Sequence, residues 1–168
     1  MDEKSTERAL QAIPYGLYVL GSLKGKTVAT IVANWITQVS FRPPLIAVAI
    51  EDDSKMRLYV ERSHFFSINI LPAGGTETAK FFVKPVEPVA NKINGKEFFL
   101  SSNGLPFLKD AVASLECRVV STHSAGDHVI FVGEVTDSVA IVEGDALTLK
   151  ETGWKYRGKG GSRKSQHT

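Results

Sequence analysis

The stretch Ser114-Leu-Glu-Cys-Arg-Val-Val-Ser-Thr122 sets Leu115, Cys117 and Val119 on one side of an extended chain and Glu116, Arg118 and Val120 on the other. Side chains on a strand point alternately to opposite faces, so this period of two predicts a strand with one buried face and a mostly polar outer face. Cys117 falls on the buried side and reads as core; Glu116 falls on the polar side. Working outward, six further short runs are rich in Val, Ile, Phe or Tyr: Tyr15–Leu20, Lys26–Val32, Leu45–Ile50, Phe65–Leu71, Val129–Val135 and Ser138–Val142. Seven such runs predict a mainly β fold, a β-barrel with a few helices packed outside. Helices are expected over Asp2–Gln11, stopped ahead of Pro14, from Asp53 or Ser54 to Arg62, and from Thr76 or Thr78 to near Val83.

A chain of 168 residues, with Gly and Pro spread along it, fits one domain of many short elements. Five of the twenty Lys and Arg follow Glu151, and no acidic residue does, so the body carries fifteen basic against eighteen acidic side chains. That balance is not the footprint of a nucleic-acid binder. The domain is expected over residues 1–157, with 158–168 a basic, solvated, disordered tail. The stretch Thr27–Ile50 is nearly uncharged but is interrupted by Asn34, Thr37, Gln38, Arg42, Pro43 and Pro44, so no membrane span is expected. The amino terminus lacks the uncharged core of a secretory signal, and one cysteine permits neither an internal disulfide nor a multi-thiolate metal site. A cytoplasmic location is expected.

Several motifs fail on inspection. Gly21-Ser-Leu-Lys-Gly25-Lys-Thr27 has three residues between its glycines where a phosphate-binding P-loop has four, and the β-branched residues after it predict a hairpin. No dinucleotide-binding glycine fingerprint follows a strand. The four histidines lack ligand spacing, and no nucleophile elbow is present. Asp127 and His128, as neighbours on a strand, are expected on opposite faces rather than paired.

Three segments remain. Ala33–Leu45 puts polar side chains and a loop backbone between two apolar strands, which fits either an ordinary turn or a planar ligand edged with hydrogen-bonding groups. Glu51-Asp-Asp-Ser-Lys-Met-Arg57 precedes a helix; its free amides, hydroxyl and two cations suit a phosphate, whereas its three acidic residues suit a capped surface helix. In Gly126-Asp-His-Val-Ile-Phe-Val-Gly-Glu-Val135 a turn delivers His128 to the start of a strand, either at a pocket mouth or as a plain turn residue.

In this order, these segments resemble the flavin-reductase-like, FMN-binding split-barrel family. Tyr15-Gly-Leu-Tyr-Val19, Pro43-Pro-Leu45, Ser63–Asn69 with Leu71, Leu105 with Leu108, Leu115-Glu-Cys117 and Leu147–Tyr156 are similar as well, so the likeness runs from about residue 10 to 157. The resemblance implies a Greek-key split barrel that forms a homodimer with FMN, or FAD, near the subunit contact, and NADH or NADPH as co-substrate. It implies that Asn34, Trp35, Ile36, Thr37, Gln38, Val39 and Ser40 line the isoalloxazine, that Ser54, Lys55 and Arg57 hold the phosphate, and that His128 is the catalytic contact to the nicotinamide. Met56 stands where members commonly have a hydroxyl residue. Hydride transfer is the cofactor's own chemistry, so an acid–base dyad is not needed. The implied activity is an NAD(P)H:flavin oxidoreductase that hands electrons to free flavin, ferric iron or a partner monooxygenase. The alternatives are a non-catalytic FMN electron carrier and a flavin-free dimeric binding module.

Overall fold

The computed structural model of the chain describes residues 2–84 and 88–155, so the expected tail over 158–168 lies outside the described residues. In chain order its elements are α1 (Glu3–Gln11), β1 (Tyr18–Lys24), β2 (Thr27–Ala33), β3 (Ile36–Phe41), β4 (Pro44–Glu51), α2 (Lys55–Ser63), β5 (Phe65–Ile70), α3 (Thr76–Lys80), β6 (Lys92–Ile93), β7 (Lys96–Leu100), β8 (Pro106–Leu108), β9 (Ala113–Ala125), β10 (His128–Ala140) and α4 (Leu149–Thr152). Seven strands pair antiparallel in the order β2-β1-β5-β9-β10-β4-β3, and β6-β7-β8 form a separate small sheet. No helix among the described residues is long and apolar enough to cross a membrane.

The alternating stretch becomes half of a long hairpin. Gly126, with φ of 64°, makes the turn between β9 and β10, a conformation that side chains with a Cβ rarely adopt. Two runs read separately, Val129–Val135 and Ser138–Val142, are largely merged into β10, whose register against β9 shifts near Gly133 and again between Val135 and Asp137. A Cβ at Gly133 would lie 2.6 Å from the Phe66 ring and 2.8 Å from the Cys117 Cβ, so the strand crosses the core where only glycine fits. The Gly21–Thr27 segment is the β1–β2 hairpin, as its β-branched sequel requires.

Leu20, Val48, Ile50, Phe66, Ile68, Cys117 and Phe131 fill the sheet's concave side, and burial pushes the Cys117 thiol up to about 12. A second cluster, including Leu17, Val19, Leu71, Phe82, Ile93, Phe98 and Leu147, fills the space beneath the small sheet.

Three expectations change. The first strand starts at Tyr18, not Tyr15, because residues 15–17 run beside 147–149 instead: Leu17 N donates to Leu147 O and Leu149 N to Tyr15 O. Ile36–Phe41, read as loop, is an edge strand paired with β4 through a turn that includes a cis Arg42–Pro43 bond. Glu116, assigned to the outer polar face, is fully buried. The loop after β7 covers that part of the face, and Ser101 Oγ, Asn103 N, Asn103 Nδ2 and Thr136 Oγ1 all donate to its carboxylate. Burial pushes this carboxyl up, but the hydrogen bonds together outweigh it and hold it below the ordinary glutamate value.

Candidate flavin and nicotinamide site

The outward side of β4 presents Ala47 and Ala49 beside Ile130 of β10, while Ile46, Val48 and Ile50 turn inward. The sequence Leu45-Ile-Ala-Val-Ala-Ile50 thus builds a flat outer floor of small side chains between inward-facing large ones. That alternation was legible, but its partner Ile130 depends on the β4–β10 register, in which Ile130 faces Ala49 and His128 faces Glu51.

Above this floor the β2–β3 corner brings Asn34 and Trp35, and the segment after α1 brings Tyr15 and Gly16. Together with Ile36 and Thr37 they line an open cavity of about 520 Å³. Tyr18 also lines it, and burial pushes its phenol above the ordinary tyrosine value, so it is a neutral donor or acceptor at pH 7. A second cavity, of about 290 Å³, lies on the other side of Asn34 and is lined by Val32, Ala33, Glu51 and Ser54 among others. Asn34 and Ala49 line both, so the two are adjoining arms, one over the floor and one that reaches Ser54 at the start of α2.

Asn34 is 9% exposed, and its Nδ2 is buried without a hydrogen-bond partner. Among the described residues the only other such side-chain atom is Thr30 Oγ1. An amide donor left unpaired costs about 1–3 kcal/mol, so a ligand acceptor at this corner would be well received. The carbonyls and ring nitrogens of an isoalloxazine are such acceptors, and the donor set fits the group.

Of the residues read as a flavin lining, the structure brings Asn34, Trp35, Ile36 and Thr37 to the larger cavity. Gln38, Val39 and Ser40 follow along the edge strand and line neither arm; Gln38 Nε2 donates to Ser40 O at 3.1 Å. Ser54 lines the second arm and also caps α2, accepting from Met56 N at 3.2 Å. Met56 turns into the core at 3% exposure, which explains why a large apolar residue is accepted there. Lys55 is exposed, and Arg57 donates through Nε to Asp52 O and through Nη1 to Glu61 Oε2, each at 2.7 Å. Neither side chain lines either arm, and acidic neighbours already engage Arg57.

His128 corrects two expectations. It is not an open residue at a pocket mouth: it is 5% exposed, with the Trp35 ring centroid 4.5 Å from its own. Nor does Asp127 point away, since its Oδ1 lies 2.7 Å from His128 Nδ1. Asp127 belongs to the turn rather than to the strand, so strand alternation does not govern it. Its hydrogen bond to His128, with the attraction between the two, lowers the Asp127 carboxyl below the ordinary aspartate value. The ring nitrogen that faces the carboxylate is Nδ1, so the turn residue helps to fix the orientation of the imidazole.

The family model of the flavin reductase like domain matches residues 10–154. Diflavin flavoprotein A 1 of Synechocystis sp. (strain ATCC 27184 / PCC 6803 / Kazusa) is 35% identical over 144 residues, 84% of this chain and 25% of the relative, so the chain spans a quarter of that protein's length. Among solved structures, the flavin reductase PheA2 in its native state superposes with a TM-score of 0.74 at 32% identity, covering 88% of this chain and 93% of that one. The NADH:FAD oxidoreductase SgcE6 of Streptomyces globisporus C-1027, in complex with NAD and FAD fragments, gives 0.77 at 26% identity over 90% of each chain. Sheet order, floor and these likenesses agree: the chain belongs to the flavin reductase like domain family, and its seven-stranded sheet is a split barrel of that family.

Proposed function

We propose that this domain binds FMN across the two adjoining cavities and catalyses its reduction by NADH or NADPH. The observation that carries the reading is the buried, unpaired Asn34 Nδ2 at the junction of the two arms. Bound flavin supplies the two-electron acceptor. The chain's own residues bind and orient. Asn34 Nδ2 donates to an acceptor on the ring edge, Ala47 and Ala49 let a flat ring lie close to the sheet, and Ser54 at the start of α2 meets the phosphate. The phosphate contact rests on Ser54 and the helix start more than on Arg57, whose guanidinium is shared with Asp52 and Glu61. His128, whose ring Asp127 orients through Nδ1, is the contact to the nicotinamide.

The domain is also proposed to act as a homodimer. Among the described residues the edge strand β3 pairs only with β4, with Val39 51% and Phe41 85% exposed, and covering such an edge is favourable. A second reading, an electron-carrying flavin domain, is favoured by the diflavin relative, of which a segment like this chain is only a quarter.

The deciding experiment measures oxidation of NADH and of NADPH by the purified protein with FMN, FAD or riboflavin, beside a fluorescence titration of each flavin. Tight flavin binding without nicotinamide oxidation would favour the carrier. Absence of flavin binding would remove both readings, and equal affinity for FMN and riboflavin would remove the phosphate site. Light scattering of the flavin-loaded protein tests the dimer.

A further inference from the structure

We propose that a third cavity, between the end of α1 and α4, receives the adenosine-phosphate half of the nicotinamide donor, with Trp154 against the adenine and Lys150 and Lys155 beside the phosphates. This rests on the reading of the domain as a nicotinamide-dependent flavin reductase and adds the place where the rest of the donor lies.

The cavity measures about 480 Å³, within the ordinary range of small-molecule sites. One wall is the segment after α1, Ile13, Pro14 and Tyr15. These three residues also line the larger flavin cavity, so the two spaces adjoin. The other wall carries Lys150, Trp154 and Lys155. The walls are tied together by backbone, because Leu149 N donates to Tyr15 O and Leu17 N to Leu147 O, each at 2.9 Å. Trp154 is held in turn by the end of α4: Gly153 adopts a φ of 70°, and Trp154 N donates to Thr152 Oγ1 at 3.0 Å. Its ring packs in part against the second core cluster and stays half-buried, which makes it a positioned aromatic wall.

Charge separates this cavity from the flavin arms. Neither arm is lined by a cationic side chain, and the second includes Glu51. The cavity beside α4 is lined by two lysines and no carboxylate. Lys80, Lys96 and Lys109 pair with Glu77, Asp110 and Glu97, whereas among the described residues neither Lys150 nor Lys155 has an ion-pair partner. An aromatic wall flanked by two ammonium groups suits a flat base joined to phosphate. A nicotinamide donor and FAD both end in such a group. Position favours the donor: the cavity shares three lining residues with the arm over the floor, where the flavin ring and nicotinamide meet, and none with the arm that reaches Ser54. An adenylate attached to the flavin phosphate would start from Ser54 instead.

The test uses FMN-loaded protein with ADP as the probe, followed by titration calorimetry. ADP should bind, compete with NADH and leave FMN in place. Lys150→Ala and Lys155→Ala should each weaken ADP about 2- to 5-fold, as exposed cations do. Trp154→Ala should weaken it about 5- to 100-fold, the range for a lost base–aromatic stack. Trp154→Phe keeps a smaller ring and should fall between, and with the lysine variants it decides the matter should Trp154→Ala fail to fold. In the double lysine variant KM for NADH should rise and depend less on salt than in wild type. Its preference for NADH over reduced nicotinamide riboside, which carries no adenylate, should fall by the same factor. No ADP binding, or binding that these substitutions leave unaltered, would overturn the site, while oxidation of reduced nicotinamide riboside would leave the reductase reading standing. Lysine substitutions that weaken FAD relative to FMN, with KM for NADH unmoved, would give the cavity to the flavin and overturn its assignment to the donor. Failure to oxidise NADH, NADPH and the riboside alike would overturn the reductase reading itself.

Discussion

Glu116, on β9, and Asn34, at the β2–β3 corner, are both buried polar side chains, yet their surroundings differ in kind. Glu116 accepts four hydrogen bonds, two of them from Asn103, and these tie the loop after β7 to β9 and β10. Asn34 keeps a donor with no partner, between two cavities. A fully matched buried network stiffens the fold, whereas an unmatched donor weakens it unless a ligand supplies the acceptor. The first region is thus architecture, and the second trades stability for binding.

The sharpest way to break this contrast is Glu116→Ala, which strands the four donors around a void and should lower unfolding stability by about 3–5 kcal/mol in a urea titration. A loss below about 1 kcal/mol would mean that the network does not hold the loop. At the other region, His128→Ala should slow flavin reduction by roughly 10- to 100-fold in anaerobic rapid mixing, the loss of about 1.4–2.8 kcal/mol of positioning, with FMN affinity nearly unchanged; an unaltered rate would make His128 a plain turn residue.

Acid separates the regions further. Because the folded protein holds the Glu116 carboxyl below the ordinary value of 4.5, its contribution is complete above that pH and fades as the pH falls through the lower folded value. Wild type should therefore exceed Glu116→Gln in stability by about 1.5–3 kcal/mol at pH 7, and the gap should narrow below pH 4.5; a gap equally wide at pH 3 and pH 7 would show that ionisation plays no part.

Asn34→Ala tests the opposite sign. It should weaken FMN binding about 5- to 10-fold, for one neutral hydrogen bond near 1 kcal/mol, while the flavin-free protein keeps or gains stability in thermal unfolding. A destabilised flavin-free protein would mean that Asn34 serves the fold after all. Asp127→Asn should have the smallest effect, about two- to fivefold on the rate, because the carboxylate is exposed and its hold on His128 is shared with solvent; no change at all would leave the sheet as the sole orienter of the imidazole.

Alternation in Leu115–Val120, the Gly25 and Gly126 turns and the capping Ser54 are local signals, and they were enough to read a β barrel, the β1–β2 hairpin, the turn into the His128 strand and α2. The edge strand Ile36–Phe41 was not readable, because its polar, exposed residues carry no periodic burial and its pairing with β4 is a backbone matter. The small sheet β6-β7-β8 was missed for a like reason, since its strands are short and form only against each other.

What the sequence determined by itself is what lies close along the chain: strand periodicity, turn glycines, the helix cap, and the motif order that resembles a flavin reductase. Only the tertiary structure decided that Glu116 is buried, that Trp35 covers His128, that Asp127 grips the ring from the turn, and that Arg57 is engaged by Asp52 and Glu61. Each depends on side chains meeting across register or around a turn. A strand pattern states which way a residue points but not what the rest of the chain has placed there to meet it.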